Sequence, residues 1–76
     1  MKQLNLKNSQ TYLRKKFLKS GVKMIGPETI FFSKDTKIGK NVIIEPYVVL
    51  GLKVKIGNNV TIKSFSHLEN LFLRLF

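Results

Sequence analysis

Few side chains in this sequence of 76 residues could do acid–base, nucleophilic or metal chemistry. It contains one histidine, His67, and no cysteine. Without cysteine, thiol nucleophiles, disulfide scaffolds and zinc ribbons are excluded. His67 is the natural candidate for a general base because imidazole titrates near neutral pH, but no acid–nucleophile set accompanies it. We expect it at a corner or turn. The four carboxylates are Glu28, Asp35, Glu45 and Glu69.

The carboxylates and glycines also lack the spacing of a reactive site. Asp35, Glu45 and Glu28 are expected on corners or faces of the fold, with no converging pair for general acid–base work. Three glycines follow large apolar residues, and we interpret them as turn residues, because the Gly-Lys-Ser/Thr ending of a phosphate-binding loop does not occur. These glycines are Gly39, Gly51 and Gly57. The sequence therefore predicts no catalytic, cofactor-binding or metal-binding residue.

A repeat of six residues dominates the chain after its first third. From Phe32 onward a large apolar residue recurs at every sixth position, and a compact, mostly β-branched residue follows four positions later. This spacing differs from the 3.6-residue period of a helix and from the alternation of a hairpin strand. It predicts a short strand and turn, repeated. The apolar positions are Phe32, Ile38, Ile44, Leu50, Ile56, Ile62 and Leu68, and the compact ones are Thr36, Val42, Val48, Val54 and Val60.

The sequence also has a second, longer period of eighteen residues, which is shown by the near identity of the segments 38–42 and 56–60. Three six-residue units would close one triangular coil, with equivalent residues stacked about 4.8 Å apart. A meander of short antiparallel strands is the alternative. Asparagine at the corners would tolerate a left-handed backbone. The expected stacked pairs are Asn41 and Asn59, Glu45 and Lys63, Asp35 and Lys53, and the unfavourable Lys37 and Lys55.

The two ends of the chain depart from the repeat. Ser9 could cap a helix that carries Leu13 and Phe17 and ends before Gly21. After the repeat, Ser66 and Glu69 have the spacing of a capping box. The residues that follow have the spacing of one apolar helical face, so we expect a short amphipathic helix that covers the last coil. Those apolar residues are Leu68, Leu71, Phe72, Leu75 and Phe76.

The formal net charge of +10 is concentrated at the start of the chain, where residues 1–23 contain no acid. Such a segment can bind phosphate-rich polymers, because neutralised phosphates release counterions. However, only Tyr12 and Phe17 within it could stack on bases, so we do not expect a nucleic-acid partner and favour a solvated helix face or one resting against a partner. The basic residues are Lys2, Lys7, Arg14, Lys15, Lys16, Lys19 and Lys23.

The length and hydropathy limit the class of protein. Seventy-six residues support one small domain. A composition of 43% hydrophobic residues is too apolar for a disordered tail. No apolar run reaches the length of a membrane span, and the first residues do not resemble a secretory signal. We therefore expect a cytoplasmic protein without a transmembrane segment.

Several motifs resemble one family of enzymes. The segment 21–30, GVKMIGPETI, resembles the junction at which the bifunctional N-acetylglucosamine-1-phosphate uridyltransferase/glucosamine-1-phosphate acetyltransferases enter their β-helix. The segments 35–39, 42–46 and 64–69 resemble their opening coils. The resemblance implies a left-handed parallel β-helix, trimeric assembly and a role in UDP-N-acetylglucosamine synthesis. It covers about residues 12–69, which correspond to the linker and first coils of the family.

The resemblance carries over no functional residue. The nucleotidyltransferase domain of the family would lie upstream of Met1, and its acetyl-CoA site would lie on later coils. The family uses acetyl-CoA and Mg²⁺, but the segments that hold them have no counterpart here, so we expect no cofactor. We expect partners to be further copies of the chain, as a trimer, or separately encoded fragments of the family.

These observations combine into one prediction of fold and function. The fold is mainly β: a basic helix and linker at 1–25, a left-handed hexapeptide β-helix of about two coils at 26–67, and a C-terminal capping helix at 68–76. The function is that of a fragment or remnant of a UDP-N-acetylglucosamine-synthesising protein, structural or trimerising and inactive alone. The alternatives are a minimal homotrimeric hexapeptide acyltransferase and a basic module that binds nucleic acid or an anionic surface.

Overall fold

The structure is a computed structural model that describes the backbone of residues 6–73 and the side chains of residues 9–73. It contains a helix, α1 (Leu6–Lys19), a 3-10 turn (Pro27–Thr29) and nine short strands. The strands are β1 (Lys23–Met24), β2 (Ile30–Phe31), β3 (Lys37–Ile38), β4 (Ile43–Ile44), β5 (Val48–Leu50), β6 (Val54–Ile56), β7 (Thr61–Ile62), β8 (His67–Leu68) and β9 (Leu71–Leu73).

The strands form three parallel sheets, each of which takes one strand from every coil. Sheet 1 has the order β1-β4-β7, sheet 2 has β2-β5-β8, and sheet 3 has β3-β6-β9. Every pairing within them is parallel. The chain therefore winds as a parallel β-helix of hexapeptide repeats, as predicted, and the antiparallel meander is excluded. The described residues contain three coils rather than about two, because β1 lies in the segment predicted as linker and β9 in the segment predicted as a capping helix.

The predicted vertical stacks of apolar residues are confirmed. Ile38 pairs with Ile56, and Ile44 pairs with Ile62. Leu50 pairs with Leu68. Burial of a whole aliphatic side chain contributes roughly 1.5–3 kcal/mol, and four of these six residues, Ile44, Leu50, Ile56 and Ile62, are buried. The buried core consists of Leu13, Phe17, Val22, Met24, Ile30, Phe32, Val42, Ile44, Val48, Leu50, Val54, Ile56 and Ile62.

Helix α1 covers the first coil. The ring of Phe17 packs against that of Phe32 with centroids 4.8 Å apart. The Gln10 amide donates to the carbonyl oxygen of Phe32 and accepts its N–H, both at 2.9 Å. Arg14 Nε donates to the Ile30 carbonyl oxygen at 3.0 Å. Two side chains of α1 thus satisfy backbone groups at the edge of β2, which would otherwise be open to pairing with another chain.

Helix α1 ends where the sequence predicts but begins earlier than predicted. The helix already includes Leu6, so Ser9 lies within it and the predicted cap at Ser9 is wrong. Gly21 has φ of 103°, and the helix ends shortly before it, as expected from the freedom of glycine in this region. The Val22 N–H donates to the carbonyl oxygen of Phe17 at 3.0 Å and begins the turn into the first coil.

The predicted C-terminal capping helix is wrong for residues 68–73. This segment instead contains the end of β8 and all of β9, which extend sheets 2 and 3. Ser66 Oγ donates to the Lys63 carbonyl oxygen at 2.6 Å and does not cap a helix. The segment forms strands because β8 and β9 satisfy backbone groups of β5 and β6, which a helix would leave unpaired. Residues 74–76 lie outside the described part of the chain.

The last coil is one residue shorter than the coil before it. Leu71 pairs with Val54 and is seventeen positions from it, whereas Ile56 and Ile38 are eighteen apart. This deletion aligns Leu73 with Ile56, and Leu73 packs against the core. Leu71 and Leu73 therefore take the repeat positions of Val54 and Ile56, displaced by one residue, and Phe72 lies on the outer surface of sheet 3.

Gly39 permits the close approach of neighbouring coils. A Cβ built at Gly39 would lie 2.9 Å from the carbonyl carbon of Gly57 and would also collide with the Asn58 side chain. The Gly39 N–H donates to the Ile56 carbonyl oxygen at 2.8 Å. The glycine is thus required by the spacing of the coils.

We expect Gly39→Ala to destabilise the fold by about 1–3 kcal/mol, because backbone atoms of the next coil must move. Urea unfolding monitored by circular dichroism measures the change in the free energy of unfolding. Lys40→Ala, at the exposed adjacent position, is the control and should leave the free energy of unfolding within about 0.5 kcal/mol. Equal effects of the two substitutions would contradict the close approach.

Candidate functional site

The structure separates the candidate acid–base residues. His67 lies exposed on the outer surface of β8, where it pairs with Val49. Glu28 is exposed on the 3-10 turn. Asp35 accepts the Lys53 backbone N–H at 3.0 Å, so its predicted contact with Lys53 is made by the backbone. No group of three metal-ligating side chains occurs among the described residues. In the same part of the chain, no helix could cross a membrane.

Glu45 joins the second and third coils. Its Oε1 accepts the backbone N–H of Ser64 at 3.0 Å, and its Oε2 lies 3.5 Å from Lys63 Nζ. The Ser64 N–H holds the pKa of Glu45 below its ordinary value, and the positive charge of Lys63 adds to this effect. The predicted pair of Glu45 and Lys63 is confirmed, but the backbone donor, which the sequence did not indicate, is the larger cause.

The lowered pKa predicts a pH-dependent contribution of Glu45 to stability. A carboxyl group whose pKa is lower in the folded state stabilises the fold above its unfolded pKa, and this contribution is lost as the pH falls through the folded pKa. We expect Glu45→Gln to be less stable than the parent at pH 7 and equal to it in strong acid. Urea unfolding at a series of pH values measures the difference.

Ser64→Ala is the comparison variant. It keeps the backbone N–H that is the largest cause of the lowered pKa of Glu45 and removes the Ser64 hydroxyl, which donates to Glu45 Oε1 at 3.4 Å and is the smallest cause. This variant should retain most of the pH dependence. A stability difference between Glu45→Gln and the parent that did not change with pH would contradict the assignment.

A left-handed corner recurs at every sixth residue from Asn41 to Phe65. Asn41 and Asn59 have φ of 59° and 62°, and Asn41 Nδ2 donates to Asn59 Oδ1 at 2.7 Å, as predicted. Tyr47 and Phe65 occupy the same kind of corner, with φ of 61° and 65°. Bulky residues are uncommon in this backbone region. Their rings stack with centroids 5.5 Å apart and planes 2° apart.

The outer surfaces of the three sheets differ in chemistry. On sheet 2 the outward residues are Phe31, Val49 and His67, which pair in register, and the first two have exposed fractions of 46% and 39%. The stacked Tyr47 and Phe65 lie at the corner leading into this sheet and are 59% and 81% exposed. We call Phe31, Val49, Tyr47 and Phe65 the apolar face. The outward residues of sheet 3 are Lys37, Lys55 and Phe72, and those of sheet 1 are Lys23, Ile43 and Thr61.

The apolar face is the candidate functional site of the described residues. Its side chains come from different coils, so the sequence repeat alone did not mark them as one surface. A signal was present in hindsight, because Tyr47 and Phe65 are eighteen residues apart, which is the coil period. Arg14 of α1 lies 5.1 Å from the centre of the Phe31 ring and borders the face with a cation–π contact. Exposed apolar surface of this kind marks interaction sites.

Comparisons with known proteins agree with the repeat. Residues 35–70 match the model of the bacterial transferase hexapeptide, six repeats. The chain is 53% identical over 60 residues to a bifunctional protein GlmU of Zymomonas mobilis. The aligned residues make up 79% of this chain and 13% of that protein. It is 49% identical over 61 residues to the bifunctional protein GlmU of Wolbachia pipientis, covering 80% of this chain and 14% of the relative.

A third relative, the bifunctional protein GlmU of Nitrobacter hamburgensis, is 52% identical over 59 residues, covering 78% of this chain and 13% of that protein. The chain thus spans roughly an eighth of the length of the curated relatives it matches. No solved structure matches it. The resemblance found in the sequence is confirmed over this segment.

Proposed function

We propose that this chain, whose residues 35–70 match the model of the bacterial transferase hexapeptide family, is an oligomerising β-helix segment of a bifunctional UDP-N-acetylglucosamine-synthesising protein. In this proposal the chain forms a homotrimer through its apolar face. The apolar face of sheet 2 carries this proposal. A three-coil β-helix buries a small core, so burial of this face between copies adds stability that the single chain lacks.

The distribution of charge supports sheet 2 as the contact surface. The chain carries a net charge of +10, and like charges on opposed copies repel each other. Sheet 3 presents Lys37 and Lys55 in register, whereas the paired outward residues Phe31 and Val49 of sheet 2 are apolar. Burial of sheet 2 therefore avoids the cost of desolvating paired lysines.

A lysine placed on the apolar face should prevent assembly. In the Val49→Lys variant a charge replaces an apolar side chain at the centre of the face, and removal of that charge from water on association is unfavourable. We expect the native mass to fall to that of one chain in sedimentation equilibrium. Val49 already points outward, so the far-ultraviolet circular dichroism should be unchanged.

Thr61→Lys is the matched control, because Thr61 is an exposed outward strand residue of sheet 1. This variant carries the same added charge and should keep the mass of the parent. An oligomer that survived Val49→Lys, or one equally disrupted by both substitutions, would contradict assembly through sheet 2.

We further propose that the chain alone does not catalyse acetyl transfer. Glu45 and Asp35 are engaged by backbone N–H groups of neighbouring coils, and His67 lies on the outer surface of β8 beside the apolar Val49. Incubation with glucosamine-1-phosphate and acetyl-CoA should release no free CoA above a blank without protein. Turnover that disappeared in His67→Ala would instead support the minimal homotrimeric acyltransferase. Capture of a separately encoded family fragment would identify a partner beyond the homotrimer.

A further inference from the structure

Two hollows that share Lys16 lie between α1 and the segment 34–38, and we call the two together the groove. One part has a volume of about 260 Å³ and is lined by Ser9, Tyr12, Leu13, Lys16 and Lys34. The other has a volume of about 330 Å³ and is lined by Lys16, Phe17, Ser20, Thr36, Lys37 and Ile38. Lys16 lines both parts. Lys34 and Lys37 come from the opposite wall, so the groove brings together lysines from two separate segments.

The lysines of this groove lack carboxylate partners in the described part of the chain. Residues 9–73 contain a single ion pair, between Lys63 and Glu45. Asp35, the acid between Lys34 and Lys37 in the sequence, is hydrogen-bonded to the backbone N–H of Lys53. The positive charge of the groove is therefore not neutralised within the described chain, and an anion that enters it meets attraction without competition.

The charge continues beyond the groove along two directions. Lys37 pairs in register with Lys55 on the outer surface of sheet 3. On the helix, Lys15 and Lys19 lie beside Tyr12 and Lys16 around a neighbouring hollow. The basic surface is thus elongated, which suits a linear polyanion better than a single small anion. The helix C-terminus, which carries a partial negative charge, also disfavours a small anion held at that end.

Two observations favour a phosphodiester strand over other polyanions. The groove is concave, which admits a strand and is inaccessible to a flat bilayer. Tyr12 lines it and is 67% exposed, so its ring is available to stack on a base.

We propose that this groove binds the backbone of single-stranded nucleic acid, with Lys16, Lys34 and Lys37 contacting phosphates and Tyr12 stacking on a base. The sequence argued against such a partner because aromatic residues are sparse in the basic segment. The structure adds Lys34 and Lys37 to that segment and removes Phe17, which is buried. The groove thus combines an exposed aromatic residue with three lysines, and proteins that bind single strands without sequence preference use the same combination of stacking and positive charge.

The test is the binding of a fluorescent single-stranded oligothymidine of fifteen nucleotides to the full chain, followed by anisotropy over a range of salt concentrations. The groove variant is Lys16→Gln with Lys34→Gln. The control is Lys23→Gln with Lys40→Gln, which removes the same charge from positions outside the groove. We expect the groove variant to bind at least about tenfold more weakly and the control to change less than about threefold. In the groove variant, the slope of log affinity against log salt should fall by about 1.4.

Substitutions at Tyr12 distinguish base stacking from electrostatic attraction alone. Tyr12→Ala should weaken binding about fivefold or more, whereas Tyr12→Phe should retain it, because the ring and not the hydroxyl stacks. Equal losses in the groove variant and its control, or an unchanged affinity in Tyr12→Ala, would overturn the proposal. Tighter binding to phosphatidylserine vesicles than to the oligonucleotide would also overturn it, in favour of an anionic membrane surface.

Discussion

The structure depends on the vertical register between successive coils. Each strand forms parallel hydrogen bonds with the strand about eighteen residues later, and this register places aliphatic side chains of the same kind above one another. The same spacing determines where Glu45 meets the Ser64 N–H and why no Cβ is tolerated at Gly39. A change of register by one residue would turn each inward side chain outward. The final coil keeps the alignment despite its missing residue.

The repeat made the coils predictable, because a period of six and a period of eighteen agree on the same inward residues. The buried ladder and the Asn41–Asn59 contact followed directly from that agreement. Within residues 68–73 the helix prediction is wrong because a one-residue deletion before Leu71 gives Leu68, Leu71 and Phe72 a helix-like spacing. Local periodicity does not show that the edge of β6 is open to pair with residues 71–73, because that edge exists only once the preceding coil has folded.

The candidate surfaces were less predictable than the core. Phe31 and Val49 look like ordinary strand residues, and only the pairing of β2 with β5 shows that they share a face. The contact of Gln10 with Phe32 joins residues 22 positions apart, without any repeat to indicate it. Side chains that bridge the helix and the coils obey no sequence period, so the surfaces beside α1 emerge only from the fold.

The fold thus separates an apolar sheet from a basic one, and this separation leads to the proposed assembly. Sedimentation equilibrium of the unmodified chain over a range of concentrations tests it most directly. Assembly through the apolar face predicts a species three times the 8.8 kDa mass of the chain, which dissociates on dilution. A well-folded chain that stayed at the mass of a single copy at every concentration would contradict the account.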